Sequence, residues 1–315
     1  MSRSSLKTSR THALSEVIGF VLLLAIVVSA FSLWMTYFVP ASGRENEIAQ
    51  MNTVRDRFTD YKISLDSLWA NNQSGVTLST TINLGSRGTN SQAGGPSLFL
   101  NPVASSATIS IQDRGDKLFI NSSSAASDSV ITMGTMEYRS SNNYWVQENY
   151  VYQTGGIFLQ QENGSVCLIS PPYSIVRANN GTSDVVYVNL IPIRILGGGS
   201  VSGNGPVRID SMLQATNQKA SLQPNSWVNL SVDVADKQTA LMWLNMANET
   251  RIRGNVTNSS WYSFGVGENP STKRGYAFML IKGPYAPPST NPDVYLTLKT
   301  VDYVVTLNNI ALVLS

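Results

Sequence analysis

The stretch from Val17 to Val39, VIGFVLLLAIVVSAFSLWMTYFV, contains no charged residue and limits what the whole chain can become. At a helical rise of ~1.5 Å per residue it spans the ~30 Å hydrocarbon core of a bilayer, where only a helix satisfies its own backbone polar groups. Residues 1–13, MSRSSLKTSRTHA, carry Arg3, Lys7 and Arg10 and no acid. The positive-inside rule holds such a segment in the cytoplasm and sends the remainder outward. The expectation is a single-pass cell-membrane protein with a cytoplasmic N-terminus and an extracellular C-terminal domain.

Charged residues make up 13% of the 315 residues, about half the usual ~25%. Together with abundant Gly, Ser, Thr and Asn, this fits an uncharged β-rich exterior better than a cytosolic enzyme. The net charge of +2 falls to −1 once the three leader cations are removed. No basic face is left for nucleic acid. The one cysteine, Cys167, permits no intramolecular disulfide, so packing alone must hold the exported part.

Three readings of the N-terminus follow from the residues. A secretory signal would be cut at Val28-Ser29-Ala30, but the apolar run exceeds the typical ~7–15-residue core. An uncleaved anchor needs only the length. The third reading rests on the boundary Arg10-Thr-His-Ala-Leu-Ser-Glu-Val-Ile-Gly19, which resembles archaeal type IV pilin and archaellin precursors. Ser15-Glu16-Val17-Ile18-Gly19 is similar to the S-[PE]-V-I-G element frequent in that family, and Ala13 fits its small residue before the cut. His12 stands where the family commonly has Lys or Arg. The resemblance implies a class III signal peptide, with prepilin peptidase cutting between Ala13 and Leu14. It also implies a retained helix that packs against those of other pilin subunits. Glu16 then has two roles open to it. It can pair with the α-amine released at Leu14, on its own chain or a neighbour's, or serve as an ordinary first-turn acid favoured by the helix dipole.

Pro40-Ala-Ser-Gly43 predicts a kink or short break. Helical periodicity then resumes, with Met51, Val54, Phe58, Tyr61, Leu65 and Leu68 forming an apolar seam. Asn71 to Gly75 carries turn chemistry, and from Val76 the period becomes two. Strands are expected at Val76–Leu84, Ala107–Gln112, Val130–Tyr138, Tyr144–Tyr152, Gly156–Gln161, Ser165–Ile169, Asp184–Ile195, Val207–Met212, Trp227–Val234, Tyr276–Lys282, Asp293–Lys299 and Val301–Leu314, with one surface helix over Ala235–Asn248. The expected fold is α+β: a long N-terminal hydrophobic helix, transmembrane or filament core, followed by a mostly antiparallel sandwich-type extracellular domain. Its parts are a basic leader (1–13), the apolar helix (14–39), a kinked amphipathic continuation (40–70) and the β-rich domain (71–315). The glycine-rich run 197–205 reads as a strand connection or linker, and it is the one candidate boundary inside that domain.

Two further stretches resemble a subset of archaeal pilin-like surface proteins of poorly defined function. These are the Tyr-rich and Gly-Gly strands of Tyr138–Trp145 and Tyr150–Phe158, and the apolar strand Asn189–Gly197.

Catalysis has little to work with. The only histidine, His12, lies in the leader, so the exported part has no imidazole for a nucleophile pair or a metal. Cys167 reads as a buried strand residue. Asp184, Asp210, Asp233, Asp236, Glu249 and Glu268 are available for two-carboxylate glycoside chemistry, but no spacing selects a pair. Asp113-Arg-Gly-Asp116 reads as a turn, and the aromatic residues of Tyr138–Tyr152 as a sugar-stacking surface or ordinary cross-strand packing. The expectation is no enzyme, no cofactor and no metal. Eight Asn-x-Ser/Thr sequons, at Asn72, Asn121, Asn163, Asn180, Asn229, Asn248, Asn255 and Asn258, mostly in turn-like context, make a glycoprotein the expectation. The sequence thus points to a pilin-like structural or adhesive subunit, minor or tip. The alternative is a non-assembling anchored surface protein that binds a ligand or carbohydrate through its β domain.

Overall fold

The computed structural model describes residues 8–86, 101–124, 128–162, 164–179, 183–284 and 293–309. Helix α1 (Thr8–Leu33), a π-helical turn (Trp34–Phe38) and helix α2 (Val39–Ala70) join end to end. Glu16–Ala70 is long and apolar enough in its first half to cross a membrane, and its 55 residues span roughly 80 Å at the helical rise. Of the kink or short break expected at Pro40–Gly43, the break does not occur. Proline lacks an N–H, and its ring crowds the carbonyl four residues back. The widened turn just before it absorbs that crowding, with the Val39 N–H reaching the Trp34 carbonyl. Helix α2 ends in a Schellman arrangement, with Gln73 N–H on Leu68 O, Asn72 N–H on Trp69 O and Asn72 at φ 53°.

The head contains fifteen described strands and a third helix. The first eight strands are β1 (Thr77–Asn83), β2 (Ser106–Ser122), β3 (Ser129–Ser141), β4 (Asn149–Gln153), β5 (Gly156–Gln161), β6 (Gly164–Ile169), β7 (Tyr173–Asn179) and β8 (Asp184–Leu190). Then come β9 (Ile193–Leu196), β10 (Gly199–Gly203), β11 (Pro206–Asn225), β12 (Val228–Val234), helix α3 (Lys237–Arg253), β13 (Tyr262–Glu268), β14 (Gly275–Ile281) and β15 (Val294–Asn309). One sheet has the order β1-β11-β15-β8-β7, with β9 also on β15. The other runs β13-β14-β12-β2-β3-β4-β5-β6, with β10 on β2. All ladders are antiparallel except β15 with β8 and with β9.

Several local expectations change. The run Asp184–Ile195 splits into β8 and β9 around Ile191-Pro192, while Asp293–Lys299 and Val301 onward fuse into β15; residues 310–314 lie outside the described residues. The run from Tyr144 yields a strand only from Asn149. The glycine-rich run read as a strand connection or linker contains β10, paired with β2 through Val201 opposite Ile109. Its single apolar side chain leaves no period-two pattern to read. The helix expected over Ala235–Asn248 runs on to Arg253. It starts at Asp236, whose carboxylate accepts the Thr239 N–H at 2.8 Å, and stops at Gly254. It also carries one buried face, including Ala240, Trp243 and Met246.

Two hydrophobic cores result. The first encloses α2, whose Met51, Val54, Phe58, Tyr61, Leu65 and Leu68 pack against Ile82, Ile109, Tyr138, Tyr152, Ile209 and Tyr303 from both sheets. Burial of those six seam side chains supplies on the order of 10 kcal/mol as an upper estimate. The second core gathers α3 with Leu118, Ile131, Val188, Val232, Met279 and Leu298. Along β15, Leu296 and Leu298 serve the second core, and Val301, Tyr303 and Val305 the first. Since strand neighbours alternate faces, the two cores lie on opposite faces of the same long strand.

Truncating the seam should therefore unfold the head. We expect Phe58→Ala to cost ~3–5 kcal/mol and Leu65→Ala ~2–5 kcal/mol. Ile63→Ala, on the exposed face of α2, should stay within about 0.5 kcal/mol. Denaturant titration of the full chain in detergent, followed by near-ultraviolet circular dichroism, measures all three.

Candidate functional site

Every residue from Glu16 to Phe38 is exposed. These include Phe20, Leu23, Ile26, Leu33 and Tyr37. Gly19 sits on this surface, and a Cβ there would meet nothing within 4 Å. Contact with the head begins at Val39, which is buried.

The junction that follows is a clamp. Glu47, 1% exposed, accepts the backbone N–H groups of Asn143, Tyr144 and Trp145 at 2.7, 2.8 and 2.7 Å. Three successive amides form the anion-binding concavity that a buried carboxylate needs in place of water. One helical turn earlier, Gly43 faces the Tyr144 ring, and a Cβ there would stand 2.4 Å from it. Only glycine lets the loop come so close. The Arg44 guanidinium lies 4.7 Å from the centre of the Trp145 ring. The loop is itself braced by Asn142 Nδ2 to Val146 O and Gln147 Nε2 to Asn142 O, both 2.8 Å. The Val103 N–H also reaches the Tyr144 hydroxyl.

Neither Glu47 nor Gly43 was singled out by sequence reasoning. The signal was present: stepping the Met51–Leu68 seam backward by four lands on Glu47 and then Gly43. A carboxylate at a seam position must find donors.

His12, Ala13, Leu14 and Ser15 fall in α1, their side chains outside the described residues. Glu16, Val17, Ile18 and Gly19 are exposed on the same helix. Asn163 and Asn180 lie outside the described residues. Asn72, Asn255 and Asn258 are exposed, Asn72 and Asn255 at positive φ. The remaining sequons are not in turns. Asn121 and Asn229 face each other across β2 and β12, and Asn248 lies in α3, where its side chain accepts from Arg251.

The candidate catalytic groups are occupied elsewhere. Asp184 pairs with Arg177 at 2.7 Å, Asp210 with Arg208, Asp233 with Arg274, Glu249 with Arg253 and Glu268 with Lys273, while Asp236 caps α3. No cluster of metal-ligating side chains occurs among the described residues. Cys167 is half-buried, and burial pushes its thiol up to about 11. The Asp113–Asp116 run is a bulge inside β2, not a turn between strands. Its Asp116 is buried, bonded to Arg274 at 3.0 Å and to Gln153 at 3.0 Å. Tyr138, Tyr150 and Tyr152 are buried against α2, with ring centres 5.9 Å for Phe58–Tyr150 and 5.6 Å for Tyr61–Tyr152. Of the two readings of that aromatic run, the packing one describes them.

No curated protein and no solved structure matches the chain. A model described as a family of unknown function, DUF7289, matches residues 12–262, about four-fifths of the chain.

Removal of the Glu47 carboxylate leaves three inward amides without an acceptor. We expect Glu47→Ala to destabilise the head by about 2–4 kcal/mol and to speed hydrogen exchange at Asn143–Trp145 by at least about tenfold. Exchange mass spectrometry reads this directly. Cys167 should resist iodoacetamide at pH 8 in the folded chain and react on unfolding, since the thiolate is scarce three pH units below its pKa.

Proposed function

We propose that this chain, which belongs to the DUF7289 family of unknown function, is a type IV pilin-like structural or adhesive subunit of the cell surface. Its N-terminal helix anchors it in the membrane and assembles it with sister helices. The reading rests on one observation: a continuous helix whose first half is apolar and uncovered from Val17 to Phe38 and whose second half is the spine of the head. A bare apolar surface of this length requires lipid or other helices around it. The resemblance of Ser15–Gly19 to the pilin boundary adds the assembly step, with prepilin peptidase removing residues 1–13 on the cytoplasmic side. Gly19 supports it too. Glycine in a helix interior costs ~1 kcal/mol, and nothing in this chain's own packing uses the space it leaves.

The clamp at Glu47 gives such an anchor mechanical meaning, because the head is tied to the helix within two turns of its emergence. Load on the head passes straight into the helix. The β-rich head is extracellular in this reading, with Asn72, Asn255 and Asn258 as the best-presented glycan acceptors.

Mass spectrometry of the mature N-terminus tests the processing, and a product beginning at Leu14 is expected. Shearing of cells tests assembly, and release of the protein in filaments is expected. Retention in the membrane fraction with no filaments would favour the non-assembling anchor. A soluble product beginning at Phe31 or later would refute both. Glu16→Ala should leave processing intact and reduce the sheared fraction several-fold; unchanged incorporation would assign Glu16 to the helix dipole alone.

A further inference from the structure

On β12, Val228, Val232 and Val234 point into the second core. Asn229, Ser231 and Asp233 therefore point to the other side of the sheet. The register places Ser231 between Phe119 of β2 and Phe278 of β14, and Asp233 between Lys117 and Tyr276. A polar row is thus bordered by aromatic rings on both neighbouring strands. Beyond β14 the edge strand β13 presents Gly265 opposite Phe278 and Gly267 opposite Tyr276. A Cβ at Gly265 would stand 2.8 Å from the Phe278 ring, and one at Gly267 would stand 2.4 Å from the Tyr276 hydroxyl. Both rings consequently lean across the backbone of β13, making a flat aromatic floor toward the sheet edge. The resulting groove has a volume of about 420 Å³ and is also lined by Asn269 and Arg274, within the ~300–1,000 Å³ of small-molecule sites. Tyr276 remains 47% exposed.

The polar row has unused bonding capacity. The Ser231 hydroxyl makes no hydrogen bond among the described residues, and Asn229 Oδ1 is buried without a partner. One Asp233 oxygen takes the Arg274 Nε at 2.5 Å, leaving the other to accept. An apolar partner would bury the Ser231 hydroxyl and the second Asp233 oxygen unsatisfied, at a cost of ~1–3 kcal/mol or more each. An anionic one would meet Asp233, while the Arg274 charge is already shared between Asp116 and Asp233 and the exposed Lys117 beside Asp233 does not line the groove. Pyranose sugars have the matching amphipathy, with C–H faces that lie on aromatic rings and hydroxyl edges that both donate and accept.

We infer that this face of β2, β12, β14 and β13 is a binding platform for neutral saccharides, with Phe278 and Tyr276 as the stacking floor and Asn229, Ser231 and Asp233 as the hydroxyl readers. The site stands apart from the anchor and from Glu47, so it does not depend on the filament reading. It relocates sugar stacking from Tyr138–Tyr152, where Tyr138, Tyr150 and Tyr152 are buried, to a face that the sequence does not mark.

The test uses the full chain, made in a host without N-glycosylation and held in a zwitterionic, sugar-free detergent. Neutral hexasaccharides of glucose, mannose and N-acetylglucosamine are titrated by calorimetry and ligand-observed NMR. At least one should bind with a Kd of about 1 mM or tighter. Tyr276→Ala and Phe278→Ala should each weaken it roughly fivefold or more, and Ser231→Ala by a smaller factor. Phe264→Ala, an exposed aromatic on the opposite face of β13, should leave it unchanged. Circular dichroism confirms that each variant is folded. The inference is overturned if no hexasaccharide binds by about 10 mM, or if binding survives both Tyr276→Ala and Phe278→Ala, or if Phe264→Ala weakens it equally. Binding found only when a glycan is attached at Asn229 would equally overturn it, since the groove would then serve the chain's own modification.

Discussion

The head is built around a helix that it does not own entirely. Helix α2 supplies the wall against which both sheets bury their side chains. Phe58, Tyr61 and Leu65 are completely buried. Two hydroxyls from the sheet meet the seam, those of Ser211 and Tyr303. Tyr61 shares a hydrogen bond with Ser211 at 2.8 Å, and Tyr303 donates to the Leu65 carbonyl. Burial drives both tyrosines well above the ordinary phenol range, so they remain neutral at any physiological pH. The same helix, one turn before its seam, is gripped by the β3–β4 loop through Glu47. Orientation of the head relative to the apolar segment is thereby set by packing along α2 and by one charge at its start.

Past the end of α2 the long strands change allegiance, turning their other face to α3. Where they cross from one core to the other, the buried residues are polar: Asp116, Thr135, Glu137, Gln153 and Asp302. Each carboxylate there has a guanidinium partner, Arg274 for Asp116, Arg114 for Glu137 and Arg194 for Asp302. Buried pairs of this kind add little net stability, because desolvation offsets most of the attraction. Their value here is geometric. The β2 bulge at Asp113–Lys117 shifts its register against β3, and the Arg114–Glu137 and Arg274–Asp116 pairs form in that register.

Much of this was legible in the sequence for simple reasons. An uncharged run of bilayer length, a 3-4 apolar seam and period-two alternation each have one dominant physical cause, and the apolar helix with its β-rich head follows from them. Other features were hidden by the same logic. Strands β10 and β13 contain Gly199 and Gly203, Gly265 and Gly267, and strands with few side chains show no alternation. The continuity through Pro40 depends on a π-turn that no composition rule marks. Glu47 was readable only by extending the seam backward and asking why a carboxylate sat on it. The outer face of β12 could not be read at all, because its meaning comes from cross-strand neighbours more than a hundred residues earlier on β2 and more than forty later on β14.

Tyr303 and Leu65 are 238 residues apart. At ~5–20 residues per second of synthesis, roughly 10–50 s separate the birth of the seam from that of the last strand that covers it. During that interval the strands already made shelter the aromatic stripe only in part, and the greasy rod before it stays bare. A ribosome that pauses before β15 therefore leaves an aggregation hazard, and a chaperone or the lipid surface itself must guard the newborn helix until its last strand arrives.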